Sequence, residues 1–434
     1  MSGKRAETGA ARRCPEQPEE VRGGRELSAG EGRRRGCGIT VAACETRTFR
    51  LALPGVLMTT GIFFLTYLIR VVFGPLLPEF EREFGISHAA STRLLMYISA
   101  GYSLTVFLSC FLASRIAPRR LAASAAVLGG VTLIGIAATT NPALLPFLFL
   151  LLGMVTGPYL NAGFSILRSL GPESLWGRFI AAHECAPNAG LLLAPLIAGA
   201  GSALLGRQGT LYCLGALCIA AGTLFAVRSR GGVRTDPPVS LAGFGQALRT
   251  RGLWFFVFAL GLAISAHFGI YSVLTLYMED ELGIRTEQAA LLLSTSRIGA
   301  PFAAFASGRF CARMGTRATM LFAFSLAAAA VGCMALPSFP AFIVGLYVHP
   351  LCAAIAIPTA FTHLAYAFPK DMPLYMALGV PIGSYIGLGV TPMLLGLWGD
   401  YVGFTAGFLM TACLMSAFLP FILRTDRTGP GRRA

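Results

Sequence analysis

Residues 83–87 read EFGIS and residues 281–285 read ELGIR. The two stretches lie 198 residues apart, and the same displacement carries Gly101, Arg115 and Arg119 onto Gly299, Arg313 and Arg317 without a gap. Farther along, a displacement of 197 carries Gly190, Pro195 and Gly199 onto Gly387, Pro392 and Gly396. Register held through a loop, an apolar run and a second loop marks a duplicated unit. The chain therefore reads as two homologous halves in parallel arrangement.

Each half is built for a solvent other than water. Of 434 residues, 55% are hydrophobic and 13% charged, against about 25% charged in a soluble protein. Apolar runs of about 20 residues, the length a helix needs to cross a bilayer, recur along most of the chain. The runs are continuous rather than alternating, which excludes a closed barrel. Twelve spans are predicted, at 51–77, 91–113, 121–139, 143–167, 180–204, 209–227, 252–277, 289–311, 318–336, 340–366, 374–397 and 402–423. The expectation is an all-α polytopic membrane protein with six-helix bundles at 51–227 and 252–423. Residues 1–50, rich in Arg, Glu and Gly, lack the apolar stretch of a signal peptide and read as a disordered cytoplasmic tail. A misplaced start codon accounts for that tail equally well. A cytoplasmic loop at 228–251 joins the halves, and 424–434 forms a second tail.

Net charge is +15, from 35 Lys and Arg against 20 Asp and Glu. Placement of the charges explains the excess without nucleic acid. With the N-terminus cytoplasmic, 29 of the 35 basic residues fall inside, four fall outside and two lie within spans. That asymmetry sets both termini inside. The expected setting is a multi-pass plasma-membrane protein, of the bacterial inner-membrane kind, working as a monomer. Eleven cysteines show no CxxC spacing, so neither a zinc site nor a disulfide framework is expected. No phosphate-binding GxxxxGK[ST] loop is present to couple the chain to ATP. No interfacial His/Asp/Glu cluster suggests an enzyme, so no catalytic residue, metal or cofactor is expected, and neither tail is long enough for a sensor domain.

The loop after the second span of each half reads CFLASRIAPR (110–119) and GRFCARMGTR (308–317). With the six-plus-six repeat and the central loop, the chain resembles the major facilitator superfamily over about residues 50–425. That family's signature here has the form G-x-L-A-D-R-x-G-R-R. The basic positions survive in both copies, while Ser114 and Ala312 stand where the acidic residue would be. The resemblance implies alternating access, two bundles rocking about a central solute site. It also implies a cytoplasmic gate at Arg115, Arg119, Arg313 and Arg317; enforcing topology is the alternative for these arginines. The fifth and eleventh helices look like that family's bundle interface. Gly190, Pro195, Gly383, Gly387 and Pro392 would then sit at it, with Gly379, Gly383 and Gly387 forming one bare stripe.

Two arginines remain inside spans. Arg70 sits in FFLTYLIRVVFGPLLP (63–78), with Tyr67 and Gly74 on the same helical face. A charge at that depth costs about 2.5–3.5 kcal/mol and is ordinarily turned toward a polar cavity. Its alternative is to snorkel to the outer headgroups. Arg297, in ALLLSTSRIGAPF (290–302), either touches substrate, holds an outer gate or bonds backbone carbonyls. His267 is placed to pick up a coupled proton or to make a structural hydrogen bond, with Tyr271 one turn on. No Asp or Glu lies inside the first, fourth, seventh or tenth spans. An unneutralised positive charge favours an anionic solute, with Asn161 as a hydrogen-bonding partner. The expected substrate site is Arg70, Tyr67, Asn161, His267, Tyr271 and Arg297, serving proton symport or anion exchange. Export of amphipathic drugs through an aromatic pocket is the alternative, which the 31 phenylalanines allow.

Overall fold

The computed structural model describes residues 32–112, 116–229 and 243–425. Among them, ten helices are long and apolar enough to cross a membrane. Two of the ten are doubled. Helix α8 (Cys185–Arg228) breaks at Gly206, whose φ of 69° only glycine adopts freely, and α13 (Ala300–Met334) breaks at Gly315 with φ 81°. Gly201 packs against Thr210 across the first break, and Phe310 lies 5.9 Å from Phe322 across the second, so the chain turns back at both. Ten helices with two reversals are consistent with the twelve expected spans.

The first half runs α1 (Gly32–Val71), α2 (Phe73–Phe84), α3 (His88–Leu112), α4 (Pro118–Ala138), α5 (Leu145–Thr156), α6 (Tyr159–Ser169), α7 (Glu173–His183) and α8. After α9 (Phe244–Ala247) the second half runs α10 (Arg251–Ile264), α11 (Ile270–Asp280), α12 (Thr286–Ser296), α13, α14 (Phe339–Ala367), α15 (Met372–Tyr385), α16 (Thr391–Tyr401) and α17 (Phe404–Leu423). Several spans are thus interrupted. The first breaks at Val72 between α1 and α2, the fourth at Gly157–Pro158, and the fifth between His183 and Cys185.

The tail expected to lack structure through residue 50 is helical from Gly32: ITVAACETRTFR (39–50) carries no proline or glycine to stop α1 running back from the first span, and the helix extends on over GRRRGCG (32–38). Residues 1–31 and most of the central loop lie outside the described residues. Large apolar side chains face outward, Phe147, Phe302 and Phe305 among them. Buried Thr66, Ser99, His267 and Arg297 face inward, an inversion proper to a lipid solvent.

The internal repeat reappears in space. Gly190 packs on the Tyr67 ring and Gly387 on Ile264, and Tyr67 and Ile264 are themselves 197 residues apart. A Cβ on Gly199 would sit 3.1 Å from Ala290, while Gly396 meets Thr92, the position 198 before Ala290. Glu83 binds Arg207 through two bonds of 2.5 and 2.6 Å; its repeat mate Glu281 binds Phe404 N–H and Thr405, the position 198 after Arg207. The Gly190 and Gly387 contacts and those of Glu83 and Glu281 are each made within one half, whereas Gly199 and Gly396 make equivalent contacts across the halves.

The glycine stripe is a correction. Gly379, Gly383 and Gly387 pack on α10, at Phe256, Leu260 and Ile264 of their own half. Gly190 likewise faces α1. Spacing alone reveals a smooth face without saying which neighbour it meets. Across the halves, a Cβ on Gly74 would sit 3.1 Å from Ser272, one on Gly389 2.9 Å from Ser99 and one on Gly396 2.6 Å from the His88 carbonyl, so these glycines, with Gly199 against Ala290, allow the halves to approach closely. Pro195 and Pro392 are buried.

Candidate functional site

Two wide turns shape the middle of the molecule. Residues Ser265–Gly269 and Ile386–Val390 each form one π-helical turn, joining α10 to α11 and α15 to α16. They pack face to face: Ser265 Oγ lies 2.8 Å from Thr391 Oγ1, and Thr391 bonds the Ile386 carbonyl five residues back at 3.0 Å. A π turn loosens the helical register and commonly marks a functional position. Here it carries His267 and Phe268 inward.

Beside these turns a cavity of about 40 Å³ opens between the halves, room for one or two waters. Tyr67, Arg70 and Gly74 of the first span line it, with Tyr102 of α3 and Phe268 and Ser272 of the seventh span. Arg70 donates through Nε to the Thr66 carbonyl at 3.0 Å, and its guanidinium carbon lies 4.0 Å above the Tyr102 ring. A cation over an aromatic face is held by the ring quadrupole. Arg70 thus faces the interior cavity, not the headgroups.

Arg297 is enclosed at 1% exposure. Nη1 donates to the His267 carbonyl at 2.9 Å and lies 3.4 Å from His267 Nδ1, while the guanidinium sits 4.7 Å over the Tyr271 ring. Tyr271 in turn donates across the halves to the Leu191 carbonyl at 3.2 Å. Nε and Nη2 of Arg297, and the Tyr67 hydroxyl, have no hydrogen-bond partner among the described residues. Those two nitrogens form the side-on edge of the guanidinium, which takes both oxygens of one carboxylate. Arg207 uses the same edge on Glu83. Among the described residues no carboxylate meets it at Arg297.

The six expected site residues therefore separate. Arg70, Tyr67, His267, Tyr271 and Arg297 gather around the two π turns. Asn161 does not join them: its amide donates to Ser109 (2.7 Å) and the Val106 carbonyl (3.1 Å), tying α6 to α3. His349 bonds its own helix at the Gly345 carbonyl. Tyr102, Phe268 and Ser272 were not singled out from sequence; an aromatic in an apolar run gives no sign of its facing. Of the gate residues, Arg115 lies outside the described residues. Arg119 donates to the carbonyls of Ala226 and Val227 in its own half, and Arg313 is exposed. Among the described residues no ion pair joins the halves at that end.

The opposite end is closed. Arg82 pairs with Glu279 at 3.2 Å, and the Asp400 carboxylate accepts from the N–H groups of His88 and Ala89, both at 2.9 Å. His88 itself lies between Glu81 (2.9 Å) and Asp280 (3.4 Å). All these contacts except the one to Glu81 cross between halves.

Known proteins set this geometry in a family. Against curated protein sequences the chain has no match. Among solved structures it is similar to a bacterial homolog of the human lysosomal transporter Spinster in an inward-facing, occupied conformation. Identity there is 15%, over 87% of this chain and 98% of that one, with a TM-score of 0.71. It is also similar to a variant of the nucleoside transporter NupG at 14% identity, over 84% and 99% of the two chains, TM-score 0.69. At such identities the likeness is one of fold. The family model described as Major Facilitator Superfamily matches residues 59–370 and 257–434. With the duplicated bundles, a central cavity and a family match over most of its length, the chain belongs to the Major Facilitator Superfamily, as a multi-pass membrane transporter of a small solute.

Proposed function

We propose that the solute is a small organic anion recognised through a carboxylate, carried by alternating access in proton symport or anion exchange. The observation that carries this reading is the side-on edge of Arg297, buried and unpartnered. A buried charge without a partner costs several kcal/mol, so the fold tolerates it where a visiting anion supplies the missing charge. Arg70 adds a second cation at the cavity wall, and the Tyr67 hydroxyl stands ready as a donor between the first and seventh spans. His267 and Tyr271 hold Arg297 in place through its Nη1 and its face. The protein acts as a monomer in the plasma membrane, with both termini on the cytoplasmic side.

Thermal unfolding of the purified protein against acetate, lactate, succinate, phosphate and sulfate tests the reading. A ligand bound only by the folded state raises the midpoint. The expected result is a shift with one or more carboxylates, absent in Arg297→Gln and followed by uptake of that carboxylate into proteoliposomes. Equal shifts in parent and variant would remove Arg297 from the site. No shift with any anion, together with efflux of amphipathic dyes, would favour the drug-exporter reading, which the aromatic lining of Tyr67, Tyr102 and Phe268 accommodates.

A further inference from the structure

His183 ends α7 and is wholly buried, while Glu184, the joint before α8, has a half-exposed side chain. Hydrogen counting fixes the state of this pair. The Tyr159 hydroxyl has one hydrogen and donates it to the Thr59 carbonyl at 2.6 Å. His183 Nε2 lies 3.1 Å from the same hydroxyl oxygen, so Nε2 must carry the hydrogen of that contact. In the neutral ring this leaves a lone pair on Nδ1. Nδ1 faces Glu184 Oε1 at 3.6 Å and has no other partner. A lone pair facing a carboxylate is repulsive, and one added proton turns the repulsion into an ion pair.

The geometry points to His183 and Glu184, held by Tyr159, as a binding site for one exchangeable proton, separate from the arginine site. When occupied, the proton sits on Nδ1 against the Glu184 carboxylate; when released, it passes to water by way of Glu184 and leaves the Nε2–H form. The titratable groups facing the ring are Tyr159 from α6 and Glu184 itself. Helix α1 contributes the Phe63 ring, stacked at 4.2 Å and 7°, and α6 adds Phe164 at 5.6 Å, neither of which titrates.

Two short routes join this site to the arginines. Phe63 stacks on His183 and meets Tyr67 edge-on at 6.0 Å. Helix α8, which starts at this joint, presents the Leu191 carbonyl to Tyr271 beside Arg297. Resting on the anion reading, the inference makes the coupled ion a proton and places it in the first half, away from His267.

Nitrogen NMR of ring-labelled histidines in the parent protein, with His183→Gln to assign the signal, tests the site without any anion. As pH is raised, the His183 signal should pass from a ring protonated at both nitrogens to the Nε2–H form. In Glu184→Gln the side-chain amide donates to Nδ1, and the doubly protonated signal should be lost where the parent shows it. A neutral Nδ1–H ring in the parent would overturn the proposal, as would a signal constant with pH or a titration unchanged in Glu184→Gln. Because no anion is added, these outcomes stand whether or not Arg297 binds a carboxylate.

Discussion

At the residue scale the decisive feature is a guanidinium with half its hydrogen-bonding edge used. Arg297 is a cost to the empty protein and a gain to the loaded one, and substitutions separate the two. Replacing it with methionine removes an unpaired buried charge and fills the space with an apolar chain. Arg297→Met should therefore raise the unfolding midpoint of the ligand-free protein, by the equivalent of about 1 kcal/mol or more. It should at the same time abolish stabilisation by carboxylates. A lower midpoint instead would mean that the bond to the His267 carbonyl is the residue's purpose. Arg297→Lys keeps the charge but offers a point donor in place of a two-oxygen edge, so carboxylate affinity should fall at least about tenfold, measured by the same thermal shifts. Both intramembrane arginines were legible in the sequence because a charge stands out in an apolar run. Which edge of the guanidinium is engaged was not legible, since it depends on a carbonyl 30 residues away. Nor was the use of Asn161, whose partners lie more than 50 residues back in α3.

At the element scale glycines let the backbones of the two halves come close. Gly396 and Gly389 bring α16 and the preceding π turn onto α3, and Gly74 brings α2 onto α11. A side chain on Gly396 would run into Thr92 and the His88 carbonyl, which belongs to the backbone and cannot rotate away. Gly396→Val should leave each half folded and drive the halves apart at the end closed in this structure. Gly387→Ala, whose Cβ would meet Ile264 within the same half at 2.5 Å, should lower the unfolding midpoint without changing the exposure of that end. The distance between spin labels at Ser87 and Val402, exposed on opposite halves at this end, distinguishes the two outcomes: longer for the first substitution, unchanged for the second. The duplicated halves were readable because glycines and charges hold register over nearly 200 residues. The π turns were not, because SAHFG and IGLGV look like any apolar segment and the extra residue per turn is imposed by facing Ser265 to Thr391.

For the molecule as a whole, the ion pairs and carboxylate-to-amide bonds that join the halves among the described residues lie at one end, the outer one in the proposed orientation. That arrangement is a transporter closed at this end, and its closure rests on few groups. Asp400 caps the first turn of α3 from the other half, accepting from two orphan N–H groups at a helix start. Hydrogen bonds to a charged acceptor contribute about 1.5–3 kcal/mol each when their donors would otherwise go unpaired. Water can replace the partner at this end, so Asp400→Ala should cost the closed form roughly 1–2 kcal/mol, a shift of about tenfold toward the form open at this end. The histidine beside it adds a pH dependence of definite sign. His88 faces Glu81 from α2 and Asp280 from α11, with the Asp400 carboxylate on its backbone and the Phe404 ring at 5.1 Å. Satisfying both carboxylates takes a hydrogen on each ring nitrogen, so the latch is complete when the ring is charged. As pH rises one hydrogen leaves, a lone pair turns toward a carboxylate, and closure weakens. Acid at this end should favour the closed form and alkali the open one. Spin labels at Ser87 and Val402, on opposite halves at this end, report the separation directly by pulsed dipolar spectroscopy. The short-distance population should shrink from acid to alkaline pH in the parent and lose that dependence in His88→Gln. A distance distribution indifferent to pH in the parent would show that Arg82–Glu279 and Asp400 close the end without help from the imidazole.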